Sequence, residues 1–517
     1  MSGSSPLVIG LDCSTTACKA IAWDLTGAAV AQARRSLALL TPRPGWHEQR
    51  ADDWWTAAAE ALREVAGQVS ASRLAALSIA HQRETFVPVD AGGRPVRNAI
   101  VWMDARAAGL LPQLAAAIGA ERFHQITGKP LSGNLSVAKI AWLREHEAET
   151  FGHTHSFLDA HAFLIQRLTG RRCTGWGSAD PMGLFDMAQR GWADEILAAV
   201  GVRPAQMPEL RPPAAIIGGV TREASAACGL PSGLPVVCGL GDGQAAGLGA
   251  NITGRGRAYL NLGTAVVAGT HAESYRVDRA FRATCSGIPG AFLLETVLLG
   301  GTYTTNWFCE RFGGTAEELD AAVAGLPAGS EGLLLVPYWN SAMNPYWDAA
   351  ASGIVVGWRG AHDRRHLYRA ILEGIAFEQR LHTEGVEAAT GEQIAGFTAM
   401  GGGSRSALWC QLIADVTGKV VQRCATPDAS ALGAGILAAA GSGLYPNVAA
   451  AAAAMTRLEP SVFTPHAERH AAYSLLYEDV YRRLFPELQP ALQRLADLRT
   501  NLPPTVSNQS GELDTNP

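Results

Sequence analysis

The clearest indication of the fold is the segment Leu7-Val-Ile-Gly-Leu-Asp-Cys-Ser-Thr-Thr-Ala-Cys-Lys-Ala-Ile-Ala-Trp-Asp24. Its two short apolar runs flank a polar turn, and this pattern predicts a β-hairpin. The stretch from Arg257 to Thr270 repeats the pattern, with a turn of small residues that carries a threonine. Two similar hairpins about half a chain apart predict two domains of one architecture, although unrelated hairpins can look alike by chance.

Outside the two hairpins, predicted strands and helices alternate along the chain. We predict strands at 77–80, 100–103, 234–241 and 396–400, and helices at 52–68, 106–119, 136–148, 157–168, 365–390 and 404–417. The alanine-rich run 448–455 belongs to a predicted final helix. This alternation favours an α/β fold over an all-helical or all-β one. The polar, proline-containing residues 500–517 predict a disordered tail.

Length and composition describe a folded chain with more than one core. The chain has 517 residues, of which 48% are hydrophobic and 17% charged, as in globular proteins. Its net charge of −5, without a long basic run, indicates neither nucleic acid nor an anionic membrane as a partner. Its 9 cysteines are scattered without metal-ligand spacing, which is typical of reduced thiols. With no signal peptide and no apolar run of about 20 residues, we expect a cytoplasmic protein.

The turns of the two hairpins carry groups that can bind phosphate. Residues 12–16 and Lys19 supply a carboxylate, hydroxyls and a cation, and Gly263-Thr264 occupies the equivalent turn of the second hairpin. Backbone N–H groups and hydroxyls of such turns can face an anion. No Gly-x-x-x-x-Gly-Lys-Ser/Thr sequence stands at a strand-to-helix turn, which disfavours a P-loop kinase. Either turn alone could be a polar turn without a ligand, but together they could grip a polyphosphate from opposite sides.

Three further segments follow predicted strands and could carry chemistry. Asp242 lies between glycines, where a carboxylate can accept a proton from a nucleophilic hydroxyl, or simply cap a helix. The glycine-rich turn 401–404 could cradle a nucleotide, or be only a tight turn. Arg83 and Glu84, with Trp102 after the next strand, form the kind of polar and aromatic set that recognises a polyhydroxylated molecule. A surface ion pair is the alternative for the two charged residues.

Taken in order along the chain, these segments resemble the FGGY carbohydrate kinases, the family that includes glycerol kinase and xylulokinase. The resemblance covers roughly residues 6–480. It is carried by residues 10–16, 44–49, 82–85, 101–104, 241–246, 262–264, 337–348, 372–377, 401–404 and 431–435. It implies two actin-like (ribonuclease H-like) domains, residues 6–250 and 251–480, with the active site in the cleft between them. It also implies ATP as phosphate donor and Mg²⁺ as cofactor.

The resemblance assigns roles to individual residues. Asp242 is the general base, and Asp12 helps to hold the Mg²⁺ that ATP carries. The acceptor site is lined by Arg83, Glu84, Trp102 and Asp242. The nucleotide contacts the residues of the two turns and of the glycine-rich loop: Thr15, Thr16, Lys19, Gly263, Thr264, Gly402 and Gly403.

The acceptor is defined less narrowly by the resemblance. Arg83-Glu84 is similar to glycerol kinases, but segment 132–136 lacks the tyrosine that glycerol kinases have there, and Gly243 after Asp242 is closer to the pentulose kinases. The resemblance implies phosphorylation of a pentulose such as D-xylulose, with glycerol, a tetritol or another polyol as the alternative acceptor. An actin-like ATPase or a sugar-binding sensor is an alternative of a different class. A homodimer is an assembly that the sequence allows.

Overall fold

The computed structural model describes residues 5–501, which form two large sheets with helices packed around them. The strands are β1 Leu7–Cys13, β2 Ala17–Trp23, β3 Ala29–Ser36, β4 Glu48–Gln49, β5 Leu74–His81, β6 Phe86–Val89, β7 Ala99–Ile100, β8 Ser156–Asp159, β9 Cys173–Gly175, β10 Phe185–Asp186, β11 Gly191–Trp192, β12 Glu209–Arg211, β13 Ile216–Gly219, β14 Pro235–Gly241, β15 Arg257–Leu262, β16 Val266–Ala272, β17 Arg282–Cys285, β18 Phe292–Leu298, β19 Leu334–Val336, β20 Ile354–Val356, β21 Gly396–Met400, β22 Val420–Cys424 and β23 Leu458–Phe463.

The helices surround and connect the sheets. They are α1 Ala51–Gln68, α2 Leu111–Ile118, α3 Ala120–Thr127, α4 Ser136–His146, α5 Ala148–His153, α6 Ala160–Thr169, α7 Trp176–Ala179, α8 Asp194–Val200, α9 Arg222–Cys228, α10 Asp242–Gly249, α11 Thr302–Phe312, α12 Ala316–Val323, α13 Arg364–Thr390, α14 Ala407–Thr417, α15 Ala429–Gly441, α16 Val448–Met455, α17 Ala467–Leu476 and α18 Arg482–Asn501. No helix within residues 5–501 is both long enough and apolar enough to cross a membrane.

The N-terminal sheet has the strand order β13-β14-β5-β1-β2-β3. β1 and β2 form the predicted hairpin, whose turn is closed by a 2.9 Å hydrogen bond from the Ser14 N–H to the Ala17 carbonyl. β5 runs parallel to β1, and β14 runs parallel to β5. The carboxyl ends of these three strands therefore meet at one edge of the sheet, which is where α/β sheets place their ligands.

The C-terminal sheet repeats this arrangement with the order β17-β18-β16-β15-β21-β22-β23. β15 and β16 form the second predicted hairpin, β21 lies parallel to β15, and β22 lies parallel to β21. Each sheet thus begins with an antiparallel hairpin and adds parallel strands on the side of its first strand. The α/β fold of two actin-like domains is confirmed.

Helix α15 comes from the second half of the chain but packs on the N-terminal sheet. The Trp23 indole N–H donates to the Ala431 carbonyl at 3.2 Å. The same carbonyl oxygen lies only 1.9 Å from the place where a Cβ on Gly10 would stand, so only glycine fits in β1 at this point. The division into domains of residues 6–250 and 251–480 stays a prediction. Helix α15 belongs by sequence to the second predicted domain but packs on the sheet of the first.

Three predicted helices differ in extent from the structure, and a fourth differs only in its place along the chain. Residues 156–159 form β8, because they pair with β6, and α6 begins only at Ala160, where the Asp159 side chain accepts a 3.0 Å bond from the Ala162 N–H. The predicted helix at 106–119 is shortened to α2 after a 3₁₀ turn, and the one at 404–417 begins at Ala407 after the 3₁₀ turn Gly402–Arg405. Helix 448–455 is confirmed, but it is not the last, because α17 and α18 follow it.

Two tyrosines of the C-terminal segment 473–481, together with Tyr338 after β19, donate hydrogen bonds to carboxylates of α13. Tyr473 donates to Glu373 at 2.7 Å, and Tyr481 and Tyr338 donate to Glu378 at 2.8 and 2.6 Å. Burial raises the pKa of Glu378 to about 7, although the hydrogen bonds from Tyr338 and Tyr481 oppose the rise. The predicted tail begins at residue 500, and its first two positions end α18. Residues 502–517 lie outside the described part of the chain.

Candidate active site

Asp12 lies at the carboxyl end of β1, and one of its carboxylate oxygens has no hydrogen-bond partner within residues 5–501. That oxygen, Oδ1, is buried. Burial and the negative charges of Asp242 and Asp428 raise the pKa of Asp12 to about 7, and the Lys19 ammonium opposes the rise. An unpartnered buried carboxylate surrounded by other carboxylates is a place where a cation would be stabilised.

Asp242 is the first residue of α10 and follows directly on β14. Its Oδ1 accepts a 2.8 Å hydrogen bond from the Gly243 N–H, and the Arg83 Nε lies 3.3 Å away. Burial of its surroundings raises the pKa of Asp242, while the Arg83 guanidinium lowers it. The side chain is nevertheless 41% exposed, so an outside hydroxyl can reach the carboxylate. A carboxylate of raised pKa that is open to a ligand has the properties of a general base.

Arg83 and Glu84 lie at the end of β5 and are buried rather than on the surface. The Arg83 Nη1 donates to both oxygens of Glu295, at 3.1 Å each. Glu84 has a left-handed backbone with φ of 57°, and its Oε1 lies 3.6 Å from the Arg282 Nη1. Burial raises the pKa of Glu84, and the two arginines oppose this. A surface ion pair, the alternative for Arg83 and Glu84, is therefore wrong, because their side chains are only 10% and 8% exposed.

Trp102 joins the predicted acceptor site to the first turn. Its indole N–H donates to the Thr15 hydroxyl at 3.0 Å, and its backbone N–H donates to the Thr85 hydroxyl at 3.0 Å. The Thr15 hydroxyl in turn donates to Gln82 at 3.3 Å. The Trp102 carbonyl accepts a 2.8 Å bond from the buried Lys139 ammonium, whose pKa burial lowers to about 7.

The remaining side chains of the first turn differ in their surroundings. Thr16 is exposed at the tip of the turn and can reach a ligand. The Lys19 ammonium pairs with Asp428 at 2.5 Å, and both side chains are partly exposed, at 29% and 22%. The ammonium is thus held beside Asp12 by a residue that precedes α15. A contact between Lys19 and phosphate stays a prediction.

The second turn and the glycine-rich loop lie at the ends of the neighbouring parallel strands β15 and β21. The Gly263 carbonyl accepts a 2.8 Å bond from the Thr302 N–H, while the Thr264 side chain is exposed. A pocket of about 620 Å³ opens beside them, and this volume suits a small molecule. Its lining includes residues from α11, α12, α13 and the loop: Thr302, Asn306, Asp320, Tyr368, Gly402, Gly403 and Ser406.

Residues 7–249 match the N-terminal domain of the FGGY family of carbohydrate kinases, and residues 258–442 match its C-terminal domain. The chain belongs to this family. It is an ATP-dependent carbohydrate kinase, as the resemblance of its motifs implied.

Relatives of this FGGY kinase include proteins named xylulose kinase and proteins named glycerol kinase. Its sequence is 30% identical over 490 residues to the xylulose kinase of Escherichia coli, and the alignment covers 94% of this chain and 100% of that kinase. It is 32% identical over 461 residues to a glycerol kinase of Gloeobacter violaceus, and this alignment covers 87% of this chain and 91% of the glycerol kinase. The solved structure of a xylulose kinase from Rhodospirillum rubrum has a TM-score of 0.88 at 30% identity, over 94% of this chain and 100% of its own.

The residues of this FGGY kinase fit Mg²⁺ carried by a nucleotide better than a protein-built metal centre. Within residues 5–501, no cluster of three or more His, Cys, Asp and Glu side chains could hold a metal ion. Mg²⁺ keeps several waters and phosphate oxygens and needs only one or two carboxylates from the protein. The Oδ1 of Asp12, which has no hydrogen-bond partner within residues 5–501, could serve as such a ligand.

The structure adds site residues that sequence reasoning missed. Glu295, Arg282 and Tyr259 come from the C-terminal sheet, and Lys139 and Asp428 support Trp102 and Lys19. One signal was available for Glu295, because it is the only charged residue in the apolar strand Phe292–Leu298. A charged side chain in a buried strand needs a partner, which points to a polar network.

Proposed function

We propose that this FGGY kinase transfers the γ-phosphoryl group of ATP to a hydroxyl of a pentulose, with D-xylulose as the first candidate and Asp242 as the general base. The observation that carries the proposal is Asp242 itself. It stands at the carboxyl end of a parallel strand, is open on one side, and contacts Arg83 on the other. The Escherichia coli relative, which is aligned over 94% of this chain and is named a xylulose kinase, supports a pentulose as the acceptor.

The reaction needs positioning and charge neutralisation more than covalent chemistry. The acceptor hydroxyl oxygen bonds to the γ-phosphorus, the bond from that phosphorus to the β–γ bridging oxygen breaks, and ADP leaves. The hydroxyl proton passes to the Asp242 carboxylate. Arg83, Glu84 and Trp102 would bind and orient the sugar, since their buried hydrogen bonds hold them in place before it arrives.

The nucleotide would lie along the ends of the C-terminal strands. In this proposal the pocket at Gly402 and Gly403 takes adenosine, and the triphosphate extends toward the turns that carry Thr264 and Thr16. Asp12 would hold Mg²⁺, which neutralises phosphate charge when it is bound. Helix α10 begins at Asp242, and its N-terminal dipole would favour anions there.

Glycerol or another small polyol is the second candidate acceptor. Two observations favour it. Arg83-Glu84 is the acceptor motif shared with glycerol kinases, and the relative at 32% identity is named a glycerol kinase.

A coupled ADP-release assay separates the two acceptors. We expect D-xylulose to exceed glycerol in kcat/KM by at least about 10²-fold, because a site that hydrogen-bonds substrate hydroxyls rejects analogues that lack them. L-xylulose, D-ribulose, L-ribulose and erythritol complete the panel, with Mg·ATP alone as the blank. A preference for glycerol or erythritol would select the second candidate. ADP release that no sugar or polyol stimulates would contradict a sugar kinase and favour an ATPase.

The raised pKa of Asp12 predicts that Mg·ATP binding releases a proton. Below about pH 7 this carboxyl is largely protonated in the free protein, and a cation requires the carboxylate form. Affinity for Mg·ATP should therefore fall as pH drops from 8 to 6, approaching about tenfold per pH unit below the pKa.

Calorimetric titration in two buffers of different ionisation enthalpy counts the released protons. Asp12→Asn is the matched control, because it keeps the size of the side chain and leaves only the protons that ATP itself releases. Equal proton release from the wild type and Asp12→Asn would remove Asp12 from the nucleotide site.

A further inference from the structure

Glu295 is a fully buried carboxylate at the centre of an ion network that joins the two sheets. It lies in β18 with no solvent-exposed surface. Its Oε2 accepts a 2.7 Å bond from the Tyr259 hydroxyl, its Oε1 accepts a 2.5 Å bond from the Arg282 Nε, and both oxygens accept from the Arg83 Nη1 at 3.1 Å. Burial alone would raise the pKa of Glu295, but the two guanidinium groups outweigh it and lower the value to about 2.

Such a network supplies geometry more than stability. A buried ion pair is often no more stabilising than apolar side chains of the same volume. It does fix direction, because a guanidinium offers a rigid fork of donors to a carboxylate. The fork of Arg83 is anchored at Nη1 by Glu295, and this leaves Nε facing Asp242 at 3.3 Å.

We propose that Glu295 is a positioning residue, which reaches from the C-terminal sheet to hold Arg83 against Asp242 in the orientation that receives the sugar. Tyr259 and Arg282 hold Glu295 in turn. Arg282 also places its Nη1 3.6 Å from Glu84, so two adjacent acceptor residues are anchored on the same pair of strands, β17 and β18. This proposal rests on the proposed function, because it takes Arg83 and Asp242 as parts of the acceptor site.

The network also sets the charge around Asp242. Glu295 and Arg282 face it from the C-terminal sheet, while Arg83, Glu84 and Asp12 face it from the N-terminal sheet. Asp428, beside α15, acts on Asp12, and so does Lys19. Burial raises the pKa of Asp242, Glu295 raises it further, and the guanidinium groups of Arg83 and Arg282 lower it. Removal of Glu295 should therefore lower the pKa of Asp242, and removal of Arg282 should raise it.

Two variants test the proposal through the pH dependence of turnover. Glu295→Gln keeps the size of the side chain but removes a negative charge that raises the pKa of Asp242, and it weakens the anchor of Arg83. We expect the acid limb of kcat to move to lower pH and kcat/KM for the sugar to fall about 10- to 100-fold, while the KM for ATP stays within about twofold. Arg282→Gln should move the acid limb to higher pH. A role in folding alone cannot give shifts of opposite sign.

Two further variants serve as controls for charge. Tyr259→Phe removes one hydrogen bond without changing any charge near Asp242, and it should leave the acid limb in place. Glu295→Asp restores the charge, and it should return the limb toward that of the wild type. An unmoved limb in Glu295→Gln, or equal losses in the KM for sugar and for ATP, would overturn the proposal. If Glu295→Gln does not fold, Arg282→Gln decides the question. An acid limb of kcat that stays in place or moves to lower pH in this variant would overturn the proposal. Wild-type protein without sugar-dependent ADP release would refute the proposed function itself, which separates the two failures.

Discussion

Asp242→Asn is expected to lower kcat for sugar phosphorylation by about 10²–10⁴-fold, the usual contribution of a general base. The amide oxygen can still accept the 2.8 Å bond from the Gly243 N–H, so α10 should begin as before. Arg83 keeps its two bonds to Glu295 and should stay in position. What is lost is the group that takes the proton from the acceptor hydroxyl. Binding of Mg·ATP should persist, and the assay is ADP release at saturating sugar.

The chain offers a matched control for this substitution. Asp194 is the first residue of α8, as Asp242 is of α10, and it is exposed. Asp194→Asn therefore makes the same chemical change at the same helical position away from the site, and it should leave kcat unchanged. Full turnover by Asp242→Asn would remove the carboxylate from the base role. A loss of Mg·ATP binding equal to the loss of turnover would instead show that the variant disturbs the nucleotide site.

Much of the fold followed from local patterns in the sequence. Each hairpin was visible because two apolar runs flank a polar turn, and α13 was predicted at 365–390 where the structure has Arg364–Thr390. Strand β8 was missed because Phe157-Leu158 runs directly into a helical pattern. Only its pairing with β6, about 70 residues earlier, makes that segment a strand.

The candidate site was predictable where its residues end parallel strands. Asp12, Arg83 and Asp242 each lie at or just after the carboxyl end of β1, β5 or β14, so strand prediction placed them at one edge. Partners from distant parts of the chain could not be predicted in this way. Glu295 is 212 residues from Arg83, and Asp428 is 409 residues from Lys19. Only the packing of the C-terminal sheet and of α15 against the N-terminal sheet brings them together.

Helices α10 and α15 cross closely, so a larger side chain at their crossing should destabilise the protein. The two helices pack at glycine: a Cβ on Gly433 would stand 1.9 Å from the Ala245 carbonyl oxygen, and a Cβ on Gly249 would stand 2.1 Å from that of Ala429. These neighbours are backbone atoms, which cannot move aside as a side chain can. We expect Gly433→Val to reduce the free energy of unfolding by about 3 kcal/mol, the upper part of the usual cost of overpacking.

The same substitution should reduce turnover as well as stability, because α10 carries Asp242 at its first position. The Ser430 hydroxyl of α15 donates to the Asp242 carbonyl at 3.1 Å, so helices that move apart displace the carboxylate from Arg83. Urea unfolding followed by tryptophan fluorescence and ADP release at saturating substrates measure the two effects. Gly67→Val in α1 is the control, because within residues 5–501 no atom beyond the adjacent residues and the local backbone of α1 lies within 4 Å of the added Cβ, and the helix gains propensity. If Gly433→Val is as stable and as active as Gly67→Val, the spacing of α10 and α15 does not determine the position of the base.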